Sequence, residues 1–436
     1  MRLSFAFAVA VTVWNSFALG QNPKSKQSWG YVDVRPGAHI FWWLHYADGD
    51  KPLSRPLVLW LQGGPGSSST GFGNFAEIGP LTVDGQIRNS TWVKQVNVLF
   101  VDSPVGAGYS YVDGNKTSLL CKNNSQIATD LTSFMMGFLA KLPDFSTVPF
   151  YIFSESYGGK MAAEFARMLY KSMESGKLKI AFAGVALGDP WISPMDSVQS
   201  WAPYLLETGV IDSNGFRMVE KWANLTQAAV LSGNWTNATM MWSHTEDAVT
   251  EVSHNVDFYN ILALTKPSTN ISVHTLGYKG ALYQRHVADV EDEALSKLMN
   301  GPVRENLRVI PDNVTWGSQS KAVFDALTDD FMRPATNIVE TLLNSTKLSV
   351  TVYSGQLDLV VATPGTLKWV ENLRWAGSKG WLEAKRIPMV VNGFTQGYFK
   401  KMKNFSFFWI NRAGHMVPKD NPSAALALLK AVTMLK

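Results

Sequence analysis

The chain predicts an α/β fold, a mostly parallel central sheet flanked by helices, with a mainly helical segment inserted into it. Three observations lead there. Short apolar and β-branched runs alternate with helical patterns in both ends of the sequence. A serine stands at a strand-to-helix junction in Ser154-Glu-Ser-Tyr-Gly158. A candidate acid and a candidate base follow it, each just after a predicted strand.

Taken in order, residues 29–47 alternate as a hairpin around Pro36-Gly37, and buried strands follow near 57–61, 96–101, 149–153 and 182–187. A helix carrying Ile127, Leu131, Phe134 and Phe138 at helical spacing is stopped by Pro143, and another spans about Tyr157 to Met173. Strands resume near 348–353, 387–391 and 405–410, and a helix through Ala424 to Leu435 closes the chain. From about Pro194 to Lys347 the alternation lapses into helical patterning with scattered aromatics. The expected division is a core of residues 21–193 and 348–436, with a mainly helical cap at 194–347.

Ser156 reads as a nucleophile. A sharp turn from strand to helix exposes its hydroxyl at the top of a sheet, and it needs small residues two positions either side, here Ser154 and Gly158. On the pentapeptide alone, a plain turn or helix cap is an equal reading. An activated serine also needs a histidine to take its proton and a carboxylate to orient that histidine. Thr351-Val-Tyr-Ser-Gly-Gln-Leu-Asp358 runs a strand into a glycine turn that delivers Asp358, and the loop after the aromatic strand 405–410 presents His415. Alone, Asp358 reads as a helix cap and His415 as a packed histidine. Together, in the order Ser, Asp, His, they follow the α/β-hydrolase pattern. Upstream, the buried strand Pro56 to Leu61 opens into a glycine-rich loop, where the N–H of Gly64 joins that of Tyr157 as a candidate oxyanion hole. The loop lacks the lysine that a phosphate-binding loop would carry.

Trp60-Leu-Gln-Gly-Gly-Pro-Gly66, Glu77-Ile-Gly-Pro80, Val101-Asp-Ser-Pro-Val-Gly-Ala-Gly-Tyr-Ser-Tyr111, Ser154-Glu-Ser-Tyr-Gly-Gly159, Asp358 and Gly414-His-Met-Val-Pro418 together resemble the serine carboxypeptidase family, from about Trp29 to the C-terminus. The resemblance implies removal of C-terminal residues from peptides and proteins. It places Gln62, the backbone N–H of Gly63, Glu77 and Glu155 around the substrate's terminal carboxylate, and Met416 beside the departing residue. Glutamates facing a carboxylate repel it unless one group holds a proton, so an acidic optimum is expected. Four positions depart from the usual pattern: Gln62 replaces an asparagine, Ser67 a cysteine, Gln356 an aspartate and Arg412 a glycine. The loop Gly188-Asp-Pro-Trp-Ile-Ser-Pro194 is expected to wall the pocket. Esterases, acyltransferases and non-catalytic binding homologues share this scaffold; an esterase has little use for the glutamate pair, and a binding homologue is expected to lose a triad member.

The remaining composition fits a secreted enzyme. With 436 residues, 46% hydrophobic and 17% charged, the chain can bury a large core, and a net charge of +4 without basic runs indicates no nucleic-acid partner. Arg2, the apolar stretch Leu3 to Val13 and Ala18-Leu19-Gly20 predict a signal peptide over residues 1–20, with no later membrane span. Sequons for N-glycosylation stand at Asn89, Asn115, Asn123, Asn224, Asn234, Asn237, Asn270, Asn313, Asn344 and Asn404. Secreted or lysosomal localisation follows as an expectation. Cys121 is the only cysteine, in an expected loop, and is read as a free thiol without a catalytic role, with intermolecular pairing as the lesser alternative. His244, His254, His274 and His286 lack the helical pairing with carboxylates that marks a metal site, so neither metal nor cofactor is expected.

Overall fold

The computed structural model describes residues 26–265, 272–288 and 293–435. The expected signal segment 1–20 and the sequon at Asn270 lie outside them. Eleven strands form one sheet among the described residues: β1 (Gln27–Arg35), β2 (Ala38–His45), β3 (Leu57–Leu61), β4 (Asn97–Val101), β5 (Tyr111–Val112), β6 (Phe150–Glu155), β7 (Phe182–Gly188), β8 (Ser349–Gly355), β9 (Ile387–Val391), β10 (Phe394–Met402) and β11 (Phe405–Ile410). Their order is β1-β2-β4-β3-β6-β7-β8-β11-β10-β9, with β5 paired to β2. The six central strands from β4 to β11 run parallel, and antiparallel strands extend both edges. This is the α/β-hydrolase fold, reached from the alternation of apolar runs and helices.

A central parallel strand is covered on both faces, so it reads as an unbroken apolar run. In β3 the side chains of Leu57, Leu59 and Leu61 enter one core and those of Val58 and Trp60 the other, and all five are fully buried. The first core is covered by α1 (Asn124–Lys141) and α2 (Tyr157–Glu174). Helix α1 starts where the Asn123 side chain accepts the Gln126 N–H at 3.0 Å, and Pro143 follows its end. Met161, Phe165 and Leu169 recur at helical spacing on the buried face of α2, and Ala162, Ala163 and Ala166 let it lie close to the sheet. The closing helix Pro422–Thr433 packs Leu428, Leu429 and Val432 into the second core.

Between β7 and the neighbouring parallel strand β8 the chain departs into helices α3 (Pro194–Glu207), α4 (Ser213–Leu231) and α5 (Trp235–Ser253), further shorter turns, and a last helix, Thr336–Ser345. No helix among the described residues is long and apolar enough to cross a membrane. Strand β10 gave no clear signal in the sequence. It lies next to the sheet edge, most of its residues are partly or fully exposed, and Gly397 interrupts it, so its alternation is blurred by polar residues. Gly397 is required there because a Cβ would meet the Trp409 carbonyl at 2.1 Å.

Cys121 is buried; its thiol donates to Asp130 at 3.3 Å, and burial pushes its pKa up to about 12. A thiol held protonated and covered is a poor partner for intermolecular disulfides.

At the carboxyl end of β8, Gly355 lies so close to the loop bearing His415 that a Cβ would sit 2.0 Å from the Gly414 carbonyl oxygen. Gly355→Ala should therefore destabilise the fold by about 1–3 kcal/mol through overpacking. Urea unfolding checks this, and an unchanged midpoint would refute the close approach.

Candidate active site

Strand β6 ends at Glu155 and α2 begins at Tyr157, leaving Ser156 to make the whole turn at φ 60° and ψ −129°. A serine in that region is strained and persists only where its surroundings hold it. They do: the Ser156 N–H donates to Gly188 O, and its carbonyl accepts the N–H of Gly159 and of Trp191, each at 2.9 Å. Gly158 is needed because a Cβ would come 2.5 Å from Leu61 O. Ser154, fully buried in β6, fits where glycine is usual.

The loops after β8 and β11 bring Asp358 and His415 together. His415 Nδ1 lies 2.7 Å from Asp358 Oδ2, and Asp358 Oδ1 accepts the Val361 N–H at 3.0 Å. Both side chains are almost fully buried. The His415 backbone N–H donates to Tyr259 O at 2.7 Å, so the segment before β8 also fixes the histidine loop. Burial pushes the His415 pKa down against the opposing pull of Asp189, Glu77, Asp420 and Asp257. Burial also pushes the Asp358 carboxyl up, while the Val361 N–H and Asp189 pull it back.

The glycine-rich loop after β3 passes over the serine. A Cβ on Gly63 would lie 2.6 Å from Ser156 Cβ and 3.0 Å from Tyr157 N, so only glycine fits. Gly64 sits at φ +104°, and the N–H of Tyr157, at the first helical position, has no intrahelical acceptor. Buried Asp102 holds the loop by accepting from Ser68 Oγ at 2.9 Å, Thr70 N at 3.0 Å and Thr70 Oγ1 at 2.7 Å.

Behind this loop lies a pair of buried carboxyls. Gln62 Oε1 accepts from Trp60 Nε1 at 2.8 Å, which turns the Gln62 Nε2 to donate to Glu155 Oε1 at 2.7 Å. Glu155 is in turn hydrogen-bonded to Glu77. Burial pushes Glu77 up to about 7, and burial with the Glu77 charge pushes Glu155 well above the ordinary range. Two carboxyls in contact require a shared proton.

Gln62, Gly63, Gly64, Glu155, Ser156, His415 and Met416 line one cavity of about 410 Å³. Asp358 and Glu77 stand behind that wall and reach it through His415 and Glu155. Tyr157 offers only its backbone, because its hydroxyl donates to Asp330 at 2.8 Å. Trp191 lines the cavity as the expected pocket wall, but its neighbour Asp189 does not. Arg412 also lies away from the cavity, exposed and bonded to Gln396, so its charge does not enter the pocket. Ser67 donates to Gln319 at 3.0 Å, which ties the glycine loop to the inserted segment without a covalent link.

Several lining residues had no signal in the sequence. Tyr259, His286, Trp242 and Phe331 come from the inserted segment, far from the motifs, and Lys419 stands directly after the histidine motif. His286 is held by Glu246 Oε1 at 2.8 Å and Tyr259 Oη at 3.1 Å, contacts between positions too distant for any spacing rule.

The serine carboxypeptidase family model matches residues 18–434. The chain belongs to the serine carboxypeptidase family. It is therefore a hydrolase of the serine-type carboxypeptidase class. Retinoid-inducible serine carboxypeptidase from Rattus norvegicus is 45% identical, over 94% of this chain and 92% of the relative. The Homo sapiens protein of that name is 44% identical over 94% and 92%, and serine carboxypeptidase-like 51 from Arabidopsis thaliana 41% over 94% and 93%. Among solved structures, a prohormone-processing carboxypeptidase from Saccharomyces cerevisiae superposes with a TM-score of 0.80 at 21% identity, covering 94% of this chain and 91% of the other, which shows a shared fold.

The glutamate pair links this carboxypeptidase's stability to pH. An acid whose folded pKa is raised contributes stability that is complete below its unfolded pKa of about 4.3 and is lost as pH rises through the folded value. For Glu77 that window ends near 7. The melting temperature should therefore fall between about pH 5 and about pH 8, and Glu77→Gln should reduce the fall. Calorimetry at both pH values checks this; an equal fall in both proteins would remove the pair as its source.

Proposed function

We propose that the protein releases C-terminal residues from peptides and proteins through a Ser-Asp-His triad and an acyl-enzyme, most effectively at acidic pH. The observation that carries the reading is the buried Glu155–Glu77 pair, joined through Gln62 to the cavity that holds Ser156 and His415. Simple esters offer nothing for that pair to bind. A terminal carboxylate does, provided the glutamates are protonated, alongside the Gln62 amide and the Gly63 N–H.

In this mechanism Ser156 Oγ attacks the carbonyl carbon of the last peptide bond while His415 Nε2 takes its proton. Asp358, the acceptor for Nδ1–H, stabilises the imidazolium. The N–H groups of Gly64 and Tyr157 receive the tetrahedral oxyanion. The C–N bond breaks as His415 returns the proton to the departing amine, and the terminal residue leaves past Met416. A water, deprotonated by His415, then attacks the ester and frees Ser156. Two opposed titrations set the pH range. Burial lowers the His415 pKa, which favours the neutral base, whereas ionisation of the glutamates toward pH 7 repels the substrate carboxylate.

Passage through the secretory pathway to the exterior or to an acidic, lysosomal compartment belongs to the same proposal. Exposure of Asn89, Asn115, Asn123, Asn224, Asn234 and Asn313 supports glycan attachment there, and Asn237 is half-buried. The side-chain amides of Asn344 and Asn404 instead donate to the carbonyls of Arg374 and of Leu343 and Leu348.

Ser156→Ala should lower turnover of blocked dipeptides by several orders of magnitude and abolish labelling by a fluorophosphonate probe. Retained activity would exclude the assignment. Dipeptides with a free C-terminus should be cleaved faster at about pH 4.5 than at about pH 7.5, and their C-terminal amides should lose that preference. Hydrolysis of simple esters without any cleavage of free-terminus peptides would favour an esterase.

A further inference from the structure

Below the triad lies an acid that no step above uses. Strand β7 ends at Gly188 and hands the chain to Asp189, at φ +39°, a left-handed conformation that aspartate and asparagine tolerate better than most side chains. The Asp189 N–H donates to Tyr353 O at 2.8 Å, and its Oδ1 accepts the Gly355 N–H at 2.8 Å. The residue is fully buried, and among the described residues its Oδ2 receives no N–H or conventional O–H donor. Its side chain is instead hydrogen-bonded to the carboxyl of Asp358.

Two carboxyls in hydrogen-bond contact within a dry interior cannot both be anions, so one proton lies between them. The donors around them decide its owner. Asp358 receives the Val361 N–H on Oδ1 and faces His415 Nδ1 with Oδ2, which leaves it as the anion. Asp189 has a donor on Oδ1 alone, which leaves Oδ2 to carry the hydrogen. We infer that Asp189 is a positioning residue for the triad: a neutral carboxylic acid whose hydroxyl donates to the Asp358 carboxylate and holds it ionised and oriented toward His415.

The inference rests on reading Ser156, Asp358 and His415 as the triad. A neutral donor is suited to this place because it stabilises the Asp358 anion without adding charge beside His415. The benefit is largest in acid, where an unsupported buried carboxylate would take up a proton and release the imidazole. The other titratable groups acting on the pair are Glu155, Asp420, Tyr204, Tyr259 and Tyr353. Burial and the Asp358 charge both push the Asp189 pKa well up, the direction that favours its keeping the proton. Asp189 starts and ends each turnover protonated, so the proton count of the reaction is unchanged.

The test compares Asp189→Asn, which substitutes an N–H donor, with Asp189→Leu, which has none. The infrared difference spectrum of wild type minus Asp189→Asn at neutral pH should contain the carbonyl band of a protonated carboxylic acid, shifting in D2O. In Asp189→Leu, kcat should fall about tenfold or more in acid with KM nearly constant, and the acid limb of the fluorophosphonate-labelling rate should move up by about one pH unit. Asp189→Asn should rescue most of that loss. The inference is overturned by a difference spectrum without the acid band, by a leucine variant that labels like wild type, or by an asparagine variant as impaired as the leucine one. If the leucine variant does not fold, the infrared result decides. A wild-type protein that shows the band but does not label at Ser156 would sink the triad reading and leave the carboxyl pair standing.

Discussion

The site depends on one turn, in which a single serine carries the chain from strand to helix at positive φ and is held there by three backbone hydrogen bonds. That turn works only if neighbouring backbones come almost into contact with it. Gly63 above it and Gly158 just after it have no room for a methyl group, and Gly355 plays the same part where the acid and histidine loops meet. The strain at Ser156 is thus sustained by its surroundings, because its restraints come from the end of β7, the loop that follows it and the first turn of α2.

Two pairs of buried carboxyls flank the reaction centre, Glu77 with Glu155 and Asp189 with Asp358. Each pair brings two acids out of water into hydrogen-bond contact, which is unfavourable unless a proton is kept. One pair faces the cavity through Glu155. The other is sealed beneath His415. The same physics is thus placed before and behind the imidazole.

A long chain with one cysteine must hold its inserted segment by other means, and it does so at the site itself. Asp330, from the insertion, pairs with Lys160 at 2.8 Å, accepts from the Tyr157 hydroxyl and receives the Asn124 N–H at 3.1 Å. Those partners belong to the first turn of α2 and the start of α1. Leaving either charge of such a buried pair alone is costly, so the insertion and the nucleophile's helix are energetically joined. Tyr259 with His415, and Gln319 with Ser67, make the corresponding ties to the histidine loop and the glycine loop.

Much of this was legible in the amino-acid order because it depends on local geometry. Unbroken apolar runs identify β3, β4 and β6, helical spacing identifies α1 and α2, and small residues around Ser156 mark the turn. Strand β10 was not legible, since a half-exposed strand near an edge mixes polar and apolar residues without a clean period. Nor was the role of Asp189, which looks like any loop aspartate until β7 and β8 are seen side by side. Tyr259 and His286 reach the cavity by the path of the inserted segment, which no motif encodes. The sequence by itself determined most of the elements and their alternation, and it singled out the residues proposed to react, because each of these is set by neighbours along the chain. Only the tertiary structure decided which carboxyls share a proton, because that depends on burial and on separations of a few ångströms between residues far apart in order.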